Sequence, residues 1–277
     1  KAWLAGNGFD PTASWHWGFG AAGVGMIAGL VVFFLRRRTL ETVGHRPRTR
    51  SENSGAAPAE PLTAREWSRV GAIFILFTFT IFFWAAYEQK GASLNLFAKQ
   101  LVRTQLFGWE FPASWLQSLT PFYVILLAPV FARLWVSLGD RQPTSPTKFA
   151  LGLAAIGCAF CLLVPASALT ASGKISPLWF VAVYFLDVCG EMCLSPVGLS
   201  TVTKVAPVRF VGLMMGAWFF ATSLGNKLAG YLSGFFVADD PAVLMRLYGG
   251  IAAGLLLAAA VLALTRPYLR RLMGPAG

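Results

Sequence analysis

Ionisable side chains lie in or at the edge of long apolar runs at four positions: Glu88, Asp187, Glu191 and Lys227. A charge near the middle of a bilayer costs about 2.5–3.5 kcal/mol on insertion scales. Membrane helices rarely accept such groups unless these bind a ligand or carry a proton, so each position is a candidate functional residue. Glu88 is flanked by Trp84 and Gln89, a polar and aromatic grouping that is typical of a binding site.

The two carboxylates Asp187 and Glu191 are four residues apart in FLDVCGEMCLSPVG, so on a helix they lie on one face. Like charges at this spacing repel, and a purely structural role would require basic partners for both. The sequence offers few such partners, which favours a functional role, for Glu191 above all. Lys227 has a simpler interpretation, because its long side chain can reach the nearer membrane surface.

Enzyme chemistry finds no support in the sequence. It shows no nucleotide-binding loop, no nucleophile with a paired base and no cluster of metal ligands. Cys158 and Cys161 form a C-x-x-C pair inside the apolar segment AAIGCAFCLLV, but they lack the second pair or histidines of a zinc site. We therefore expect neither an enzyme nor a metal or other cofactor.

The composition indicates a membrane protein with several spans. Of its 277 residues 56% are hydrophobic and 13% are charged, whereas soluble domains carry about 25% charged residues. Spans need about 20 apolar residues, and without a β-barrel pattern only helices can satisfy the backbone in lipid. Seven runs qualify, giving an all-α fold: 17–35, 70–89, 119–138, 149–169, 178–199, 210–237 and 247–265.

Basic residues predict the orientation of these spans. Sixteen Lys and Arg residues fall on one side of the predicted membrane and seven on the other. The positive-inside rule therefore places the Lys1 end outside and the carboxy terminus in the cytoplasm of a multi-pass protein of the cell (inner) membrane. The net charge of +11 belongs to this topology, so we expect no nucleic-acid partner.

Two further patterns concern the organisation of the chain. Residues 36–69 are polar and lack apolar periodicity, which is typical of a cytoplasmic linker. Glycines at G-x-x-x-G spacing predict close helix contacts. The four pairs are Gly25/Gly29, Gly212/Gly216, Gly230/Gly234 and Gly250/Gly254.

Three segments resemble a known family: FWAAYEQKGASLNLFA, GEMCLSPVGLSTVTKVAP and GAWFFATSLGNKLAG. They are similar to the proton-coupled oligopeptide transporters, a branch of the major facilitator superfamily, and WHWGFGAAGVGM resembles the sixth helix of that family. The resemblance implies a helical bundle fold divided into three parts. Residues 1–35 would end an amino-terminal bundle, 36–69 would be the linker, and 70–277 would form the carboxy-terminal six-helix bundle.

The resemblance also implies roles for individual residues. Glu88 would take part in proton coupling with an Arg of the amino-terminal bundle, and Glu191 would receive the amino terminus of the peptide. Trp84 and Trp218 match aromatic residues that line peptide pockets. Gln117 and Thr120 match polar substrate contacts, although the family commonly has Asn at the position of Thr120. Gln89 and Asp187 remain candidates to which the resemblance assigns no role.

The function implied is symport of protons with di- and tripeptides by alternating access, driven by the proton gradient without a cofactor. The expected partners are the lipid bilayer, the peptides, protons and an amino-terminal bundle of the same polypeptide. One alternative is another substrate on the same fold, such as nitrate or an amino-acid derivative. A seven-helix receptor is the other, but the last span lacks a Lys for a retinal Schiff base, and the linker after the first span is long.

Overall fold

The computed structural model describes residues 14–36, 62–106 and 108–274, and these divide between two units, 1–61 and 62–277. In the first unit the described part is helix α1 (Ser14–Leu35), which carries the predicted first apolar run. In the second unit the described residues form a helical bundle. Its helices are α2 (Ala64–Tyr87), α3 (Ser93–Leu101), α4 (Leu119–Leu138), α5 (Ser145–Leu169), α6 (Leu178–Val205), α7 (Val211–Ser233) and α8 (Pro241–Met273).

Six segments among the described residues are long and apolar enough to cross a membrane, and α1 adds a shorter apolar stretch at Gly23–Leu35. The all-α, membrane-spanning fold predicted from the sequence is thereby confirmed. Helix α4 has the predicted bounds. Helix α8 runs well beyond the predicted 247–265, because its polar ends continue the helix outside the apolar run.

Helix α2 begins six residues earlier than the apolar run that starts at Val70. Thr63 caps it, since its Oγ1 accepts a hydrogen bond from the Glu66 amide while the Glu66 carboxylate accepts from the Thr63 amide. This reciprocal capping box satisfies two backbone donors that the helix would leave unpaired. At its other end α2 passes into a 3₁₀ turn, Glu88–Lys90, and then into α3.

The core of the bundle lies around α5, which packs chiefly against α6 and α8, while α2 packs against α7 and α4 against α6. Its fully buried side chains include Phe149, Phe160, Tyr184 and Tyr248. Helix α4 buries only Tyr123 and Leu127 and leaves Phe122, Ile125 and Leu126 more than half exposed. Large apolar side chains that face outward are expected where the surrounding solvent is lipid.

Glycines bring helices together, but at different positions from those predicted. A Cβ on Gly190 would lie 2.8 Å from the backbone oxygen of Gly152, so α5 and α6 approach closely only because neither residue has a side chain. Open space surrounds Gly212, Gly216, Gly230 and Gly250 within the described residues. The contacts predicted from the spacing are therefore wrong at these positions. The spacing shows that two glycines share one face of a helix, but it does not show which face packs against another helix.

At one end of the bundle a short hairpin of β1 (Gln105–Leu106) and β2 (Trp109–Glu110) follows α3. The same end is tied to the α5–α6 loop, where the Arg103 amide donates to Ile175 O at 2.8 Å and the Ile175 amide donates to Leu101 O at 2.9 Å. These bonds fix the end of α3 to the loop before α6.

Candidate functional site

The candidate site forms where the end of α2 meets the middle of α6. The hydroxyl of Tyr87 donates a hydrogen bond to Oε2 of Glu191. Glu88 follows directly on Tyr87, is half-buried and is the first residue of the 3₁₀ turn. The residue next to Glu88 in the chain thus contacts Glu191, the second glutamate predicted to act in transport. Sequence reasoning did not select Tyr87, although its position beside Glu88 is the signal that could have drawn attention to it.

Asp187 lies one helical turn before Glu191 and is completely buried. Neither of its carboxylate oxygens has a hydrogen-bond partner among the residues that the structure describes. Its principal source of electrostatic attraction is the ammonium group of Lys90. A buried carboxylate without hydrogen bonds is costly, so its charge balance depends on Lys90.

Lys90 is the residue at this depth that sequence reasoning missed. It follows the apolar run and is one of the seven basic residues counted on the outer side, but it lies in the 3₁₀ turn and only 8% of it is exposed. Its Nζ lies 3.1 Å from the centre of the Tyr87 ring, a cation–π contact. Asp187 attracts it most strongly, followed by Glu191 and Glu88. One ammonium therefore lies among three carboxylates. Lys227, by contrast, is exposed on α7.

Aromatic side chains form the wall beside these charges. Trp84 is half-buried and packs edge-on against Tyr87, with ring centres 5.2 Å apart, and against Phe83 at 5.7 Å. Its indole Nε1 is buried and has no acceptor within the described part of the chain. Gly225 of α7 allows this arrangement, because a Cβ there would lie 2.6 Å from Cβ of Trp84. Trp84 thus offers an unused donor one turn from Glu88.

Trp218 lies apart from this cluster, in the packed interior between α2, α5 and α6. Only 3% of it is exposed, and its ring contacts Phe77 and Phe149 at centroid distances of 5.9 and 6.4 Å. Gly198 makes room for it, since any side chain there would overlap the indole ring. The placement explains Trp218 as a packing residue. The peptide contact expected from the resemblance stays a prediction, and these contacts give it no support.

The remaining predicted residues divide between structural and accessible positions. Gln89 is fully buried. Its Nε2 donates to Ala85 O and Ala229 O, at 3.2 and 3.0 Å, and its Oε1 accepts from Ser93 Oγ at 2.6 Å. Both of its amide hydrogens are used, one within α2 and one to α7, so these contacts give no support to a site role for Gln89, which stays a prediction. Gln117 is exposed and donates to Lys90 O at 3.4 Å, and Thr120 is half-buried in the first turn of α4.

A metal site does not emerge from the described residues, where no three His, Cys, Asp or Glu side chains are grouped so that they could hold an ion. Cys158 and Cys161 lie on the exposed face of α5. What the described site can do is bind a cation at Glu191, hold a proton at a half-buried carboxyl group and connect the two through Tyr87.

Comparison with known proteins assigns the chain to a family. The POT family model matches residues 59–247. The peptide transporter YePEPT of Yersinia enterocolitica is 33% identical, over 95% of this chain and 63% of the relative. Dipeptide and tripeptide permease A of Escherichia coli K12 is 36% identical, over 72% of this chain and 41% of the relative.

A crystal structure of a mutant POT peptide transporter in complex with alafosfalin superposes with a TM-score of 0.72, at 32% identity, over 96% of this chain and 54% of that chain. The chain spans no more than about two thirds of these relatives. Since the family model covers more than half of its residues, the chain belongs to the POT family of proton-dependent oligopeptide transporters.

Proposed function

We propose that the full-length protein couples the inward movement of protons to uptake of di- and tripeptides by alternating access. The hydrogen bond from Tyr87 to Glu191, made beside Glu88, is the observation that carries this proposal. It brings a carboxylate suited to a peptide ammonium group against the residue that precedes one suited to a proton. Similarity to peptide transporters of known name supports the choice of substrate.

Glu88 is the proton carrier in this proposal. A half-buried carboxyl group at the end of a membrane helix is tolerated either ionised beside a cation or neutral and protonated. We infer that an Arg from a bundle outside the described residues provides the cation in one conformation and withdraws in the other. Making and breaking that ion pair would release and take up one proton in each cycle.

Glu191 is the substrate-binding group. The ammonium group at the amino terminus of a peptide carries a full charge, so it adds a Coulomb attraction to the Glu191 carboxylate that the neutral phenol lacks. An arriving peptide would therefore displace the Tyr87 hydroxyl from Glu191. Trp84 packs against Tyr87, so its ring would lie beside the bound peptide.

Coupling would pass through the junction between α2 and the 3₁₀ turn. Tyr87 is the last residue of α2 and Glu88 the first of the turn, so a movement of the Tyr87 ring acts directly on the backbone that carries Glu88. Lys90 stacks on the same ring and follows in the same turn. Substrate binding would thus favour one arrangement of the turn, which is the differential affinity that coupling requires.

The proposed orientation has the basic end of the bundle in the cytoplasm. Lys148, Lys204 and Arg270 line one cavity at this end, which supports their placement on one side of the membrane. We retain a proposed linker between two membrane bundles within the predicted 36–69, shortened because 64–69 belong to α2; residues 37–61 lie outside the described residues. The substrate path of such transporters runs between two bundles, so transport is expected only of the complete protein.

The test is uptake of labelled dialanine into proteoliposomes that contain the full-length protein, with an inward proton gradient. We expect accumulation that a protonophore abolishes and that excess di- and tripeptides block, whereas nitrate does not. Glu88→Gln should lose gradient-driven accumulation but keep peptide exchange at equal pH. Glu110→Gln, at an exposed hairpin position, is the matched control and should behave as the wild type.

Two results would contradict the proposal. Full accumulation by Glu88→Gln would remove the proton role from that residue. Absence of any dialanine uptake by folded, correctly inserted protein would leave the fold intact and direct attention to other substrates, with an amino-acid derivative tested first in the same vesicles.

A further inference from the structure

A basic cavity opens where four helices begin or end, and it extends along α6 as far as Met192, the residue after Glu191. It measures about 840 Å³ and lies between the carboxyl-terminal halves of α4 and α6, the end of α8, the first turn of α5 and the loop 139–144. A second cavity adjoins it and shares Gln142, Pro143, Thr144 and Arg270. This location corresponds to the boundary between the apolar membrane interior and water.

The charged side chains that line the two cavities are all cations. The first carries Lys148, Lys204 and Arg270, and the second carries Arg266, Arg270 and Arg271. None of the described carboxylate side chains lines either cavity, and the side chain of Asp140, in the loop at the rim, is not among those described. These five cations make no ion pair within the described part of the chain. The site therefore has an excess of positive charge.

Burial of Lys148 makes this excess of positive charge unfavourable in free energy. Lys148 is only 8% exposed, its Nζ donates to Gln142 Oε1 at 2.9 Å, and it lies 4.4 Å from the centre of the Trp135 ring. Lys204 repels it electrostatically. A buried ammonium with a neutral acceptor, an aromatic face and a second cation beside it still lacks a counter-charge, and an anion in the cavity would supply one.

The other residues that line the cavity indicate which class of anion would fit. Phe131 and Trp135 of α4 provide an apolar surface that continues along the helix, and Ser145, Ser200 and Thr201 provide hydroxyl groups. A phosphate accepts hydrogen bonds from such cations and hydroxyls, while an attached acyl chain would lie against α4, whose outer face is exposed and apolar. Free phosphate would satisfy the cations but would leave the apolar wall unused.

We propose that this cavity binds the phosphate group of an anionic phospholipid, with its headgroup among Lys148, Lys204 and Arg270 and its chain along α4. The cations that would hold the phosphate lie 13 or more residues from Glu191 along the chain, and the proposal does not depend on the transported substrate. Bound lipid would join the ends of α4, α5, α6 and α8, and so stabilise the bundle at this end.

The experiment measures binding of three soluble probes to the full-length protein in detergent by thermophoresis. The probes are short-chain phosphatidylglycerol, the phosphatidylcholine of equal chain length and inorganic phosphate. We expect phosphatidylglycerol to bind at least tenfold more tightly than the other two. The double variant Lys204→Gln/Arg270→Gln should weaken this binding at least tenfold, and both positions are exposed, so the fold should be retained.

The matched control is the double variant Lys227→Gln/Arg246→Gln, which removes two cations at positions outside the basic cavity and should bind as the wild type does. Equal binding of phosphatidylglycerol by both double variants would overturn the proposal. Equal affinity for phosphatidylglycerol and inorganic phosphate would overturn the lipid assignment, because the apolar wall would then contribute nothing. Size-exclusion profiles establish that each variant is folded before binding is measured.

Discussion

Neutralising Asp187 should destabilise the bundle strongly, because it removes the main counter-charge of a buried lysine. Asp187 is completely buried, Lys90 is 8% exposed, and neither charge has a hydrogen-bond partner among the described residues. Removing one partner of a close buried pair costs about 3–5 kcal/mol, whereas replacing both partners with neutral groups is often close to neutral. Among the described residues Asp187 and Lys90 make no ion pair within 4.0 Å, and Glu191 and Glu88 still attract Lys90 in the variant, so we take the lower figure for Asp187→Asn.

The assay is the fraction of full-length protein that remains monodisperse after heating, measured by fluorescence-detected size exclusion. For a domain of this size 1 kcal/mol corresponds to about 2–4 °C, so Asp187→Asn should lower the apparent melting temperature by roughly 6–12 °C. The double variant Asp187→Asn/Lys90→Gln should recover most of that loss. Asp239→Asn, at an exposed turn, is the control and should change the temperature little.

The outcome that refutes this reasoning is a double variant as unstable as Asp187→Asn alone. Asp187 would then contribute through its shape or through an unrecognised partner, and not through the charge of Lys90. A single variant as stable as the wild type would refute it equally.

Three further predictions concern contacts of the bundle. Gly190→Val should destabilise the protein by about 1–3 kcal/mol, because its side chain would push α5 from α6; heating assays should show no such loss for Gly216→Ala, where space is open. Gln89→Leu should cost roughly 2 kcal/mol or more in the same assay, since it removes three buried hydrogen bonds. Tyr87→Phe should lower the peptide concentration that half-saturates exchange, because the substrate ammonium no longer competes with a hydroxyl for Glu191; an unchanged value would contradict the displacement step.

Local patterns were sufficient to predict which segments become helices. Helix α4 has the bounds read from its apolar run, because a stretch of that length in lipid must satisfy its backbone internally. The start of α2 was missed by six residues, since its polar first turn is held by the Thr63–Glu66 capping box and not by apolar character. Such errors fall at helix ends, where hydropathy gives the weakest information.

The sequence by itself determined the membrane class, the spans and the acidic candidates, because length, hydropathy and the cost of a buried charge are properties of single segments. Tertiary structure decided which of those residues meet. Tyr87 donates a hydrogen bond to Glu191, 104 positions further along the chain. The buried Lys90 attracts the buried Asp187 electrostatically, and Gln89 donates a hydrogen bond to Ala229 O of α7. These outcomes depend on the register of one helix against another, which close packing at residues such as Gly190 sets and which no single segment contains.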